Sequence, residues 1–403
     1  MSLPMRLELE TPKPMTTQEE LRVVRAAYAR KPTPAMRSRL AALLTLDDDN
    51  AAVTELLESQ PDLTAGEAIL LGQAWFAPET PDGDQQAHAA ASRALELSIS
   101  PEARAAALAL RGKAEIRLGD LETARQTLAE ALALDPHNKD ACKRMAALDL
   151  AAGDSDAVLA LYANLAERGV AHSRLFAAGA LAQARRGDRA QAIATLGADR
   201  FFSATKLKPP PGWDSIEQFN MALAEELLAH PELRYDRYGA ASERTWRIDT
   251  MPSPAAPLTR LLIAAISEAI LEHVATCIED DHPWAKARPD NARLRSWCVI
   301  TESTGFEHWH VHQFGWLSGS YYVRVPDTIV NGDTVDGCLS FGLPEDLAGA
   351  DGATAFGSRI VRPESGLLLL FPSQTYHRTF PHGAPDQRIC VAFDVRPLPS
   401  DPA

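Results

Sequence analysis

The dipeptide Gly-Asp recurs at Gly119-Asp120, Gly153-Asp154 and Gly187-Asp188, two intervals of 34 residues. Each pair separates two apolar helical runs, as in IRLGDLETARQTLAEAL, LAAGDSDAVLALYANL and ARRGDRAQAIATL. A glycine in that place ends one helix in the left-handed conformation, and the aspartate caps the next. A fixed period of this length predicts stacked helical hairpins, because one hairpin alone has nowhere to bury its apolar face.

The pattern resembles the tetratricopeptide repeat. With Gly119 as the inter-helix glycine, the repeat's small residues fall on Ala124 and Ala131, its large apolar residue on Leu128 and its closing proline on Pro136. Gly112 takes the small position of the preceding helix. The second repeat is looser, with Val158 and Leu165 at the small positions, and the third matches at Ala192 and Leu196 before it ends. Upstream, Gly83-Asp84 and Pro101 mark a degenerate unit. The resemblance implies an all-α repeat domain over residues 17–200 with a concave groove. That groove suits a peptide or protein partner, a second subunit, or a bracing role.

Aromatic residues divide the chain. Of 26 Phe, Trp and Tyr, five lie in residues 1–200 (Tyr28, Trp75, Phe76, Tyr162, Phe176) and 21 beyond. That division argues against two copies of one fold, and at about 150 residues per domain the length fits two different ones. Residues 201–212, with Pro209-Pro210-Pro211-Gly212, read as a stiff linker. A second domain over 213–403 begins with helices at 213–230 and 255–279. Eight short β-type runs follow within about 293–398: RSWCVITE, HWHVH, GSYYVRV, GCLSFG, SRIVR, LLLLF, HRTF and RICVAFDV. This α+β plan predicts a double-stranded β-helix, or jelly roll, with supporting helices.

A formal charge of −14 and the lack of a Lys/Arg run argue against nucleic acid and anionic membrane as partners. No uncharged run reaches the ~18 residues of a membrane span, and the N-terminus carries no apolar signal segment. Five scattered cysteines (Cys142, Cys277, Cys298, Cys338, Cys390) without a CxxC pair predict reduced thiols in a cytoplasmic protein.

The chemistry gathers at His308-Trp309-His310-Val311-His312. On a strand alternate side chains share a face, so the three imidazoles would point one way, with neighbours about 7 Å apart. Such a pair of histidines suits one metal ion, although a structural or surface role fits the spacing too. The blocks GFEHWHVHQFGWLSGSYYVRVP, GCLSFG, VRPESGLLLLFPSQTYHRTFP and RICVAFDV, in that order, resemble the Fe(II)/2-oxoglutarate-dependent oxygenases. They are most similar to a bacterial subgroup, sometimes fused to tetratricopeptide repeats, over roughly residues 211–398.

The resemblance implies a metal site of His310, His312 and His377, with Fe(II) as the metal and O2 and 2-oxoglutarate as co-substrates. It places Arg388 on the far carboxylate of 2-oxoglutarate and Tyr322 on the same group, whereas Tyr321 faces the opposite side of its strand. His308 is not required by the subgroup, His382 in a Pro-Gly loop is expected to be solvated, and Trp316 and Phe371 are expected in the core. One departure stands out. The usual triad of two histidines and one carboxylate has His312 at the carboxylate position, which leaves the site one negative charge short. Asp394, in step with Arg388 along its strand, and Glu307 are the carboxylates in range to make it up.

The implied reaction is hydroxylation of a C–H bond in a peptide, protein or small molecule, with release of succinate and CO2. Two other readings remain open. One is a cupin-type metal protein, for which Gly366, Pro372 and His377 fit but the glutamate after HxH is missing. The other is a repeat scaffold with an inactive barrel.

Overall fold

The computed structural model describes residues 5–237, 239–277 and 279–398. Residues 399–403 of the expected second domain and Ile278 at the end of its second helix lie outside these. Two compact units emerge: residues 15–170, and the residues up to Pro14 together with those from Ala171 onward.

The first unit is all α: α1 (Thr17–Arg30), α2 (Pro34–Leu46), α3 (Asn50–Leu57), α4 (Ala65–Trp75), α5 (Pro81–Leu97), α6 (Pro101–Arg117), α7 (Leu121–Leu134), α8 (Lys139–Ala151) and α9 (Ser155–Glu167). The Gly-Asp punctuation works as its chemistry requires. Gly119 and Gly153 take φ of +83° and +77°, and the side chains of Asp120 and Asp154 accept the N–H groups of Thr123 and Ala157. Ala124, Leu128 and Ala131 are fully buried. A Cβ on Gly112 would come within 2.8 Å of Leu128, so the missing side chain is what lets α6 and α7 close together. Gly83-Asp84 is different. It lies in the first turn of α5, not between helices, and a Cβ there would stand 2.5 Å from the Trp75 carbonyl. Beneath α2, Arg37 forms a buried ion pair with Glu67 at 2.9 Å, and Glu67 also accepts the Thr64 N–H at 2.8 Å. That carboxylate ties the start of α4 to α2.

The third Gly-Asp hairpin, α10 (Ser173–Arg185) and α11 (Arg189–Leu196), belongs to the second unit. The division therefore falls after Val170, not at the expected seam of 201–212. The cause is packing that a helical period cannot reveal. Nearly all of α10 is buried, and a Cβ on Gly352 would come within 2.8 Å of the Ala184 carbonyl, so the helix Ala350–Phe356 lies directly on α10. The expected linker is also structured. Phe201 ends the short helix α12 (Ala198–Phe201), and Ser203–Lys206 is a sheet strand.

The strands of this unit are β1 (Arg6–Leu9), β2 (Ser203–Lys206), β3 (Leu233–Tyr235), β4 (Ser242–Ile248), β5 (Asn291–Glu307), β6 (Leu317–Arg324), β7 (Leu339–Phe341), β8 (Arg359–Val361), β9 (Leu367–Pro372), β10 (His377–Thr379) and β11 (Arg388–Pro397). The larger sheet runs β2-β9-β6-β11-β5-β4-β3, with β1 parallel to β5, and the smaller runs β10-β7-β8. From β5 onward the chain alternates between them: β6 in the large sheet, β7 and β8 in the small, β9 large, β10 small, β11 large. That alternation is the jelly roll. The helices α13 (Ile216–Leu228) and α14 (Pro257–Thr276) match the two expected before it.

HWHVH is not a strand. β5 ends at Glu307, and the segment continues as an irregular stretch with one isolated antiparallel bridge, His310 to His377. Its β-rich composition favours a strand, but only His310 of it forms a β-bridge. Among the described residues no helix is long and apolar enough to cross a membrane, and the five cysteines are free thiols.

Removing a repeat turn should cost the helical unit a measurable amount. Asp154→Ala loses an N-cap and Gly153→Ala forces a side chain into positive φ, so each should lower unfolding free energy by about 1 kcal/mol in urea titrations. Asp154→Asn keeps the acceptor and should be close to neutral.

Candidate metal centre

The backbone brings two distant histidines together. His310 N–H donates to the His377 carbonyl at 3.0 Å, and His377 N–H donates back at 3.1 Å. Two residues on, His312 N–H donates to the Ser373 carbonyl at 3.0 Å, and Ser373 N–H donates to the Trp316 carbonyl at 3.1 Å. The Ser373-Gln374 turn after β9 thus clamps the loop that carries His312. From the other side the Ser173 hydroxyl at the start of α10 donates to the His312 carbonyl at 3.1 Å.

The result is one convergent group: ligand atoms of His310, His312 and His377 all lie within 4.8 Å of one another, with His312 and His377 buried and His310 partly exposed. Each ring is also oriented from behind. The Nδ1–H groups of His310 and His377 donate to the carbonyls of His308 (2.7 Å) and Thr375 (3.0 Å). A carbonyl only accepts, so Nδ1 carries the proton and Nε2 is left with its lone pair. His312 Nδ1 pairs instead with the Asp394 carboxylate at 2.6 Å. Lost hydration lowers His310 to about 4 and His377 well below the ordinary histidine value, which keeps both rings neutral. Phe371 packs edge-on against His312 and His377, with ring centroids 6.1 and 4.9 Å away.

Asp394 and Glu307 are not in this group. Asp394 stands behind His312, and its Oδ1 also accepts from the Ser318 hydroxyl at 2.9 Å. Burial works to raise its pKa, yet His312, Arg396 and Ser318 together hold it below the usual carboxylate value. Glu307 lines the same pocket as the histidines but remains outside their cluster. His308 turns outward to Glu243 at 2.9 Å.

Arg388 and Tyr322 line the pocket with the three imidazoles. Arg388 is 2% exposed. One N–H, on Nη1, donates to the Gly337 carbonyl at 2.7 Å, while Nε is buried without a partner. Among the described residues no carboxylate pairs with it. Tyr321, one residue from Tyr322, instead donates to Asn220 Oδ1 at 2.8 Å on the other face of the sheet. Trp316 is core as expected, stacked on Trp284 at 4.3 Å. His382 is not solvated: it is 8% exposed, with Nε2 3.2 Å from the Thr301 carbonyl. A Pro-Gly loop suggested exposure, but the loop folds back over β5.

Residue types alone did not single out Gly315, Ser318 or Ser373. Ser318 and Ser373 hydroxyls are 2.6 Å apart behind Asp394. A Cβ on Gly315 would stand 2.3 Å from Ser373 Oγ and 3.1 Å from Asp394 Oδ1. Gly315→Ala should therefore displace this layer and lower the melting temperature of the unit by several degrees, whereas Ser373→Ala, which makes room, should be milder; differential scanning calorimetry reads both.

Residues 295–394 match the model of a family described as Putative 2OG-Fe(II) oxygenase. Among curated proteins none matches this chain. Among solved structures, a Pseudomonas putida prolyl-4-hydroxylase is similar at 18% identity and TM-score 0.33, covering 52% of this chain and 96% of its own. A Trichoplax adhaerens prolyl hydroxylase is similar at 10% identity and TM-score 0.35, with 53% and 90% covered. PilF of Pseudomonas aeruginosa is similar at 16% identity and TM-score 0.37, with 44% and 81% covered. The family match, and not these distant likenesses, carries the assignment, and the family implies Fe(II) and 2-oxoglutarate. Residues 295–394 of this chain thus match a 2OG-Fe(II) oxygenase family model, and they follow a unit of helical hairpins.

Proposed function

We propose that the protein is a hydroxylase acting on a C–H bond of a peptide, protein or small molecule, with Nε2 of His310, His312 and His377 as the iron-binding atoms. In this reading Arg388 and the Tyr322 hydroxyl receive the far carboxylate of 2-oxoglutarate. Bound Fe(II) and 2-oxoglutarate supply the oxidising chemistry, with O2 consumed and succinate and CO2 released.

The observation that carries the reading is the Arg388 guanidinium, buried and ion-paired with no carboxylate among the described residues, in the pocket that three oriented imidazoles share. A buried, unpaired cation costs several kcal/mol, and a bidentate anion is what its fork is shaped to take. The neighbours favour that role. Burial pushes the Tyr322 phenol up, so it stays protonated and donates to a carboxylate instead of repelling it. Burial likewise pushes the Cys390 thiol up to about 12, which keeps it neutral and a poor competitor for the metal. Val299, Leu339 and Ala392 exclude water from the same pocket, which strengthens the pull of Arg388 on an anion. A cupin-type reading leaves this arginine without a task. The helical unit is assigned the holding of a peptide or protein partner, in line with its repeat architecture.

The protein mixed anaerobically with Fe(II) and 2-oxoglutarate should develop a visible charge-transfer band, and on admission of O2 should convert 2-oxoglutarate to succinate. No band and no succinate would end the oxygenase reading. His377→Ala should lose Fe(II) binding. Arg388→Met should weaken 2-oxoglutarate at least about tenfold, the loss of one charge-assisted hydrogen-bond pair, while raising the melting temperature of the ligand-free protein, because an apolar chain replaces an unpaired charge.

A further inference from the structure

We propose that Asp394 supplies, through the His312 imidazole, the negative charge that the metal-binding residues themselves lack, and so acts as a positioning residue that makes His312 stand in for a carboxylate. The inference rests on the reading of His310, His312 and His377 as metal ligands. It extends that reading to the question of charge.

The three rings are not supported alike. His310 and His377 donate their Nδ1–H groups to neutral backbone carbonyls. Only His312, at the position where a carboxylate is usual, donates to an anion, and at the shortest distance of the three, 2.6 Å. Both partners are buried, His312 at 7% and Asp394 at 2% exposure. In such surroundings a short charge-assisted hydrogen bond draws the Nδ1 proton toward the carboxylate and raises electron density at Nε2.

Asp394 is built for this task and not for direct ligation. Oδ1 receives His312 and Ser318, and Oδ2 receives Arg396 Nε and Nη2 at 3.3 and 3.2 Å. Ser318 faces Asp394 across the β6–β11 register and is itself held by Ser373 at 2.6 Å. Gly315 gives this layer its room. Asp394 and Arg388 sit at the same parity on β11, six residues apart. One strand thus carries the anion behind the metal ligands and the cation assigned to the co-substrate.

The test counts carboxylates. Wild type, Asp394→Asn, His312→Asp and the double variant are compared without 2-oxoglutarate, by Co(II) affinity and by the Fe(III)/Fe(II) midpoint potential. Asp394→Asn should bind Co(II) about 10–100-fold more weakly and have the highest potential, since less negative charge favours Fe(II). His312→Asp, with two carboxylates, should have the lowest. The double variant, again with one, should return toward wild type. In Zn(II)-loaded wild-type protein the His312 Nδ1 proton should resonate downfield of those of His310 and His377, a measurement that needs no variant to fold.

An unchanged potential in Asp394→Asn, a double variant no closer to wild type than its parents, or three equivalent Nδ1 protons would overturn the proposal. These readouts need no turnover. Shifted potentials without succinate formation would sink the oxygenase reading alone, and succinate formation with an unshifted potential would sink the role of Asp394 alone.

Discussion

The centre of the molecule depends on the pair of backbone hydrogen bonds exchanged by His310 and His377. They join the segment after β5 to β10, and so hold an irregular stretch against the small sheet. Without that bridge the two rings, 67 positions apart in the chain, have no reason to meet. With it, each ring is set by a fixed backbone and needs only one Nδ1 acceptor to choose its tautomer. Backbone geometry does the alignment, and side-chain chemistry only finishes it.

Around this bridge the domain separates apolar packing from charge. Phe371 and Phe341 pack against His377, with ring centroids 4.9 and 5.8 Å away, and Trp284 stacks on Trp316 behind the loop. The polar groups come in two compact sets. Asp394, Ser318, Ser373 and His312 satisfy one another almost completely. Arg388 is deliberately incomplete by comparison, with one carbonyl partner and a bare Nε. A folded domain tolerates few such orphans, and this one lies in the pocket the histidines share.

Much of this was legible residue by residue. HxH, a later histidine after LFPS, and an arginine opening the last strand are the candidates that the family resemblance names, and all of them line one pocket. The alternation of Tyr321 and Tyr322 followed from the pleat. HWHVH departs from the expected strand because β-type composition says nothing about pairing, and a single bridge can hold a segment that no strand rule describes. His382 is buried, not solvated, because a loop's exposure depends on what it folds onto. The seam lies earlier than the repeat period suggests because α10 and α11 carry the repeat's spacing while packing on a helix more than 150 residues downstream.

The sequence by itself determined the helical hairpins, the jelly-roll alternation of short strands and which histidines and arginine stand as site candidates. These depend on local period, turn chemistry and functional groups, which are properties of short segments. Only the tertiary structure decided where the units divide and which histidine is backed by a carboxylate. It alone also left Arg388 ion-paired with no carboxylate among the described residues. Those outcomes turn on distances between residues far apart in the chain. Asp394 shows the difference most clearly: its strand parity made it a candidate ligand, and its 2.6 Å contact with Nδ1 puts it behind His312.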